Sequence, residues 1–396
     1  MKKDLPLSCV EISKGNLVHN IKQFRSLLGL NHSSKNGRPT SRAGLGKKTQ
    51  IAGVVKANAY GHGDTQVVQI LDSHVDYFQV NSIEEFSRIR KHTKKEILVL
   101  GYVGKGDLES AIKLKATLGV FDLEHALLIN QIARKLNKKI KVHIAVDSHL
   151  GREGLMPESL EKALPEILKM KNITVVGVYS HFANIEDTND FSHAQKQIDT
   201  YGEVVSIFNK YGLKDIQTHI SATSGVLAYE MGSAKNSIVR LGIGLYGMWP
   251  SVELQNKWQD KIDLKPAIRW VSHIAQVKKL PKDHTIGYGL SYKTVRPMTV
   301  AVIPVGYSDG LTRSLSNIGE FIVGGVKTQI LGRVAMNMVV VDVSEVPDVA
   351  SGDEVVILGR QGDCDIRAED LALKMDTINY EVTTHINPLL PRLIKG

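Results

Sequence analysis

Cysteine is scarce in this chain: Cys9 and Cys364 are the only two in 396 residues, and they lie far apart. That excludes a disulfide framework, and each reads as a free buried thiol. Long apolar runs are missing as well. No window approaches the length of a membrane span. The opening MKKDLPLSCVEISKG has too few apolar residues before charge returns to form the core of a signal peptide. Internal repeats and low-complexity tracts are absent. These absences point to a cytoplasmic enzyme. Acidic residues are outnumbered, 41 against 50 Lys and Arg, leaving a formal charge of +9. Such an excess can mark nucleic-acid or membrane binding. Here much of it lies in residues 35–48, KNGRPTSRAGLGKK, a basic stretch without acid, spaced by Gly, Ser and Pro. This reads as a flexible surface loop between the first helix and the strand at Ile51–Val55. Neither nucleic acid nor membrane is expected as a partner.

What is present is ordinary for a globular enzyme, with 42% hydrophobic and 23% charged residues. The length predicts two domains. In the first two-thirds, short β-branched runs alternate with amphipathic stretches. Strands are predicted at 51–55, 75–80, 96–100, 116–121, 140–146, 173–180, 216–221 and 237–243. Helical spacing covers Ile83–His92, Leu123–Leu136, Glu158–Met170 and Ser192–Tyr211. Eight strands alternating with helices specify an α/β fold of the (β/α)8 TIM-like barrel type rather than an open doubly wound sheet. Beyond about residue 262 the segments RWVSHIAQVKKL, MTVAVIPVG, EFIVGG, VKTQILGRV, MNMVVVDVS and DEVVILG read as strands with short turns, and only Ala368–Met375 looks helical. The expected domains are therefore 1–262, the barrel, and 263–396, mainly β.

Barrels of this kind place their chemistry at the C-terminal strand ends. Those ends carry Lys56, then Asp147 and Arg152, His181, Thr223, and Arg240 with Gly242. A lysine, two arginines, a histidine, a hydroxyl and glycines make a phosphate-cofactor site. An isolated lysine at a strand end would read as snorkelling to solvent. At a barrel-facing end it is desolvated, which frees its amine for Schiff-base chemistry. Tyr60 follows in a turn rich in Gly and Asn. Gly242-x-Gly244-x-x-Gly247 is formally a dinucleotide fingerprint, but it lies deep in the chain and Pro250 would interrupt the helix it requires. No metal site is expected.

The string VVKANAYGHG around Lys56 closely resembles the cofactor-lysine signature of alanine racemases. The resemblance extends over nearly the whole chain apart from the loop at 35–48. It implies a barrel that binds pyridoxal 5′-phosphate, a β domain, and a homodimer with shared active sites acting on a small amino acid. VEISKGNLVHNI resembles the family's opening strand and helix, with Asn20 in its usual place. Lys56 is then the Schiff-base lysine and one of two catalytic bases, and Tyr60 a phosphate ligand. AVDSHLGREG resembles the loop whose arginine, here Arg152, meets the cofactor's phenolic oxygen and the substrate carboxylate. Many members carry a carbamylated lysine that buttresses this arginine. Here that position is Ala145, so Arg152 must be held otherwise.

By the same resemblance, His181 in VGVYSHFAN lies near the cofactor ring and supports the tyrosine base. HISATSG places Thr223 where the family has a phosphate-binding serine, with Ser224 as the other candidate hydroxyl and Ala222 replacing an asparagine. In VRLGIGLYG the backbone N–H groups of Gly242 and Ile243 hold the phosphate, and Arg240 donates to the pyridine nitrogen. An arginine there does not readily give up a proton, so the ring is a weaker electron sink. IGYGLSYKT supplies Tyr288 as the second base, on the face opposite Lys56 and from the partner subunit. Tyr292 and Tyr307 match residues lining a narrow access channel. In LGRVAMNMVVVDV, Met336 binds substrate through its backbone N–H. Asn337 stands where aspartate is usual, which removes a negative charge. Tyr380 is a further phosphate contact. The activity implied is interconversion of L- and D-alanine by a two-base mechanism, supplying D-alanine as a peptidoglycan precursor. The alternatives are a racemase of serine, lysine or a broad range, a barrel-type amino-acid decarboxylase suggested by Cys364-Asp365, and a non-catalytic pyridoxal phosphate carrier.

Overall fold

The structure is a computed structural model and describes residues 6–30, 49–228 and 237–396. The basic segment at 35–48 lies outside the described residues. The chain divides into two compact units. One comprises Leu17–Ala57 and Val67–Lys265; the other comprises Met1–Asn16, Asn58–Gln66 and Pro266–Gly396.

Strands are numbered in chain order, and β1 (Cys9–Ser13) belongs to the second unit. The first unit contains β2 (Gln50–Val54), β3 (Tyr77–Val80), β4 (Glu96–Val99), β5 (Thr117–Val120), β6 (Ile140–Ala145), β7 (Ile173–Tyr179), β8 (Gln217–His219) and β9 (Ile238–Leu241). From β2 to β8 each strand pairs in parallel with its sequence neighbour, and β9 pairs in parallel with β2. β8 and β9 close the ring: Ser237 N–H donates to Thr218 O at 2.9 Å and Arg240 N–H to Ser221 O at 3.1 Å. The near-continuous apolar runs predicted as strands suit this arrangement, because both faces of a parallel sheet are covered. Ala52, Tyr77, Leu98, Leu100, Ala145, Tyr179 and Ile238 form a buried cluster.

The helices between strands start where local chemistry allows. Before Ile83–Arg90, Ser82 Oγ accepts from Glu85 N–H at 3.3 Å, while the Glu85 carboxylate accepts from the N–H groups of Asn81 and Ser82. The helix buries Ile83, Phe86 and Ile89 at three-residue spacing. Asn20, fully buried, donates to Leu245 O and Lys265 O and accepts from Lys265 N–H, tying the first helix to the turn after β9.

The second unit is a mainly β body. Its long sheet runs Gln276–Leu280, Met298–Ile303, Val339–Asp342, Val326–Leu331, Glu320–Val323, Glu354–Gln361, Ile268–His273, β1 and Arg392–Lys395. β1 is antiparallel to Ile268–His273 and parallel to Arg392–Lys395. The sequence reading counts residues 1–262 with the barrel, whereas β1 and residues 58–66 group with this sheet. Both flanks of β1 are satisfied by strands some 260 and 380 residues further on, a pairing with no local signature. The expectation of one helix in this unit needs correction. Asn379–Thr384 is helical besides Ala368–Met375. Its β-branched Val382, Thr383 and Thr384 read locally as strand, and tertiary packing overrides that preference. Among the described residues no helix is long and apolar enough to cross a membrane.

Candidate functional site

Within the barrel unit, the polar residues predicted at strand ends gather at the C-terminal ends of β2 and β6–β9. Lys56 lies two residues beyond the end of β2, after Val55, and is solvent-accessible. Its pKa is nevertheless lowered, first by desolvation and then by the Arg152 and Arg240 guanidiniums. The amide of Ala57 donates to Glu85 Oε1 at 2.7 Å. Glu85 thus caps its own helix with one oxygen and holds the backbone beside Lys56 with the other.

The chain then turns left-handed. Ala57, Asn58, Ala59 and Tyr60 have φ of 52, 53, 54 and 55°. Four successive non-glycine residues in this region cost about 1–2 kcal/mol each. Inside the second unit the turn is clamped. Gly63 N–H donates to Asn58 O at 2.8 Å, and Arg392 donates to Gly61 O. Gly61, with φ of 83°, lies so close to Thr383 that a Cβ would sit 1.9 Å from its carbonyl oxygen. Strain maintained by so many contacts is a mark of a working segment.

Arg240 is only 2% exposed. Its Nη1 donates to His219 Nδ1 at 2.7 Å and His219 O at 2.9 Å. Its Nη2 donates to Ser180 O, Ile220 O and His181 Nδ1, the last at 3.2 Å. Among the described residues none of these bonds uses Nε. Burial lowers the Arg240 pKa to about 10, so it stays charged at neutral pH. His181 is held well below its ordinary pKa by desolvation, then by Arg240, Arg152 and Lys56. Such a neutral imidazole accepts through Nδ1 and donates through Nε2.

Thr223 and Ser224, at the start of a short helix after β8, part company. Thr223 Oγ1 accepts from Gly242 N–H at 3.2 Å and Gly244 N–H at 3.4 Å, leaving its own proton to give. Ser224 Oγ donates to the Glu186 carboxylate, whose pKa is raised by desolvation. Thr223 therefore stands by the glycine amides and the buried Ile243, while Ser224 is committed to an acid. The Gly242–Gly247 stretch forms a short 3-10 turn, not the helix of a dinucleotide fold.

In the loop after β6, the Asp147 carboxylate accepts from Leu150 N–H at 2.7 Å and Gly151 N–H at 2.9 Å. Arg152 at the loop tip makes a bidentate pair with Glu153. The predicted tyrosines and the substrate loop lie in the second unit. Tyr60 and Tyr380 rings are 5.9 Å apart. Tyr288 is 74% exposed on a turn where Gly287, Gly289 and Leu290 all have positive φ. Tyr292, half-buried, pairs with Ile286 across that turn. Tyr307 N–H donates to Ala335 O, Ser308 N–H to Met336 O, and Asn337 Nδ2 to Ser308 Oγ at 2.8 Å, so Tyr307, Met336 and Asn337 share one loop pair. Cys364 and Asp365 sit apart from these, in a hairpin strand beside Gln361, with Sγ donating to Gly325 O and Asp365 paired to Arg367.

The sequence reading missed Glu85, His143, Glu153, Glu186 and His219. Of these, His219 heads the motif HISATSG and Glu153 lies within AVDSHLGREG, while the others fall outside any motif.

The profile described as alanine racemase, N-terminal domain, matches residues 28–250, and alanine racemase, C-terminal domain, matches 267–394. Alanine racemase 2 of Caldanaerobacter subterraneus subsp. tengcongensis is 35% identical over 97% of this chain and 94% of its own. The alanine racemase of Halothermothrix orenii is 38% identical over 89% and 92%. The solved alanine racemase of Clostridium difficile 630 superposes with a TM-score of 0.89 at 30% identity, covering 99% of this chain and 97% of that one.

Proposed function

Because the chain belongs to the alanine racemase family and is an amino-acid racemase, we propose that it interconverts L- and D-alanine using pyridoxal 5′-phosphate carried on Lys56. The observation that carries this reading is the Lys56 amine: accessible, at a barrel strand end, and with its charged form disfavoured by burial and two guanidiniums. The surrounding donors fit the cofactor. The Thr223 hydroxyl proton and the Ile243 amide suit a phosphate, the Gly242 amide donating to Thr223 Oγ1 and so fixing that hydroxyl, with Tyr60 and Tyr380 as further phenol donors. Thr223 is favoured over Ser224, whose proton goes to Glu186. Arg240 Nε suits a ring nitrogen.

When bound, this cofactor withdraws electrons from an attached amino acid and acidifies its α-C–H. Lys56, as free amine or ammonium, takes or returns the α-proton on one face. Tyr288 does so on the other, so neither enantiomer has to turn over. A phenol acts as a base only where a hydrogen-bond donor or nearby cation stabilises its anion, and the Nε2–H of neutral His181 with the Arg152 guanidinium would supply that environment. Arg152 binds the substrate carboxylate, aided by the Met336 backbone N–H. Asn337 shapes that loop, and Tyr292 and Tyr307 line the approach. The exposed turn bearing Tyr288 supports a homodimer in which the partner subunit's Tyr288 completes each site. D-Alanine for cell-wall assembly is the product use consistent with this reading. Asn337 and Ala222 favour testing serine, lysine and broader substrates. The placement of Cys364 and Asp365 within a β hairpin gives no support to a decarboxylase.

Chiral analysis after incubating the cofactor-loaded protein with single enantiomers of alanine, serine, lysine and glutamate tests the proposal. Alanine should interconvert fastest. Faster turnover of another amino acid would move the substrate assignment, carbon dioxide release would replace racemisation by decarboxylation, and no interconversion would end the reading. Lys56→Ala should abolish the visible absorption of bound cofactor and cut the rate by on the order of a thousandfold.

A further inference from the structure

Arg152 stands on an exposed loop tip, where a long side chain has about 2 kcal/mol of rotamer freedom. A guanidinium that must meet a small carboxylate needs something to hold it. β6 offers nothing: Ala145 is an uncharged residue packed with Leu98, Leu100 and Tyr179. Asp147 spends its carboxylate on the amides of Leu150 and Gly151. The next residue does hold it. Glu153 accepts from Arg152 Nε through Oε2 and from Nη2 through Oε1, the latter at 2.8 Å. Its Oε1 also lies 3.9 Å from His181 Nε2.

A guanidinium has two edges able to grip a carboxylate, Nε with Nη2 and Nη1 with Nη2. We propose that Glu153 is a positioning residue that occupies the Nε edge of Arg152 and presents the Nη1 edge to the substrate carboxylate. This rests on the racemase reading above for what Arg152 binds. Glu153 is half-buried and Arg152 largely exposed, so the pair acts by orientation rather than by adding stability. The loop geometry keeps the two side chains in step. Gly154 has φ of 111°, and its Cβ position would fall 2.8 Å from Val146 backbone atoms. Leu155 N–H returns to Ala145 O at 2.9 Å.

The sign of the effect separates this role from simple electrostatics. Removing a negative charge beside an anion site would, by Coulomb's law alone, tighten carboxylate binding. Losing the clamp on Arg152 must weaken it. The experiment uses the full-length, pyridoxal 5′-phosphate-loaded enzyme and its Glu153→Ala and Glu153→Gln variants, with propionate as the probe. Binding is read by calorimetry, alongside KM and kcat for both alanine enantiomers. Glu153→Ala should weaken propionate about three- to tenfold and raise both KM values by the same factor, the scale of ordering one long side chain, while kcat changes little. Glu153→Gln, which keeps one acceptor oxygen, should fall between. Unchanged or tighter propionate binding in Glu153→Ala overturns the proposal, as does a loss confined to kcat. Retained cofactor absorption and melting temperature report an intact fold. If the wild type binds propionate but interconverts no enantiomers, the racemase reading fails while the propionate comparison still decides the clamp.

Discussion

Arg240 sets the protonation of three imidazoles from one buried position. A guanidinium only donates, so the Nδ1 atoms of His219 and His181 must accept from it. His219 then carries its hydrogen on Nε2 and donates to His143 Nδ1 at 2.8 Å. His143 is left with a buried Nε2–H that makes no well-formed hydrogen bond among the described residues, although the Gln217 side chain lies beside the ring. Protonating this chain would put a second charge beside Arg240 without water to solvate it. Accordingly, burial pushes His143 and, in the other unit, His62 down to about 4 from 6.5. Below pH 6.5 the unfolded chain takes up protons that the folded chain refuses. The stability these residues contribute is therefore complete above about 6.5 and is lost as pH falls toward 4, by about 3 kcal/mol for each. Urea midpoints should fall steadily from pH 7 to pH 5, and less steeply in His143→Gln. A wild-type midpoint that stays flat over that range would refute the assignment. Lys56, His181 and Arg240 were legible as polar residues ending apolar strands. Glu153 was not, because an acid after an arginine in a polar loop looks solvated.

At the level of elements, the pairing of β6 with β7 slips between Val142 and His143, so that Val142 faces Val175 but His143 faces Gly177. This bulge brings the His143 ring against the Gly177 backbone, where a Cβ would lie 2.0 Å from Nδ1. Gly177→Ala should cost about 1–3 kcal/mol by displacing the ring and breaking its contact with His219. Gly202→Ala is the contrast. That glycine lies inside the helix Ser192–Lys210 with nothing within 4 Å of its Cβ position, so the change should stabilise by about 0.5–1 kcal/mol. Thermal melting of both variants checks the pair, and equal effects would remove the steric argument. Strand positions were readable because continuous apolar runs flag buried parallel strands. The bulge and the helix at Asn379–Thr384 were not, since register and local preference there are settled by distant partners.

For the whole molecule, the reading with the most consequence is that each site needs two copies of the chain. Neither Lys56→Ala nor Tyr288→Phe alone should racemise alanine at more than a small fraction of the wild-type rate. If the partner subunit's Tyr288 serves each Lys56, a heterodimer of the two variants has one intact site. Statistical mixing after dissociation and reassociation then restores about a quarter of wild-type activity. Chiral assay of the mixture against each variant alone decides it. No recovery, with exchange of subunits verified by mass, would place both bases within one chain.

Taken by itself, the sequence determined the barrel class, the change to a mainly β body, and the polar residues at strand ends. Those features are written in periodicity and in contiguous motifs such as VVKANAYGHG. Tertiary structure decided where β1 pairs, which of Thr223 and Ser224 keeps a proton to give, and what holds Arg152. The first two turn on partners distant in sequence: β1 on strands hundreds of residues away, Thr223 on Gly242 and Gly244, and Ser224 on Glu186. The clamp on Arg152 is adjacent in sequence, but only the folded loop turns Glu153 toward it rather than toward water.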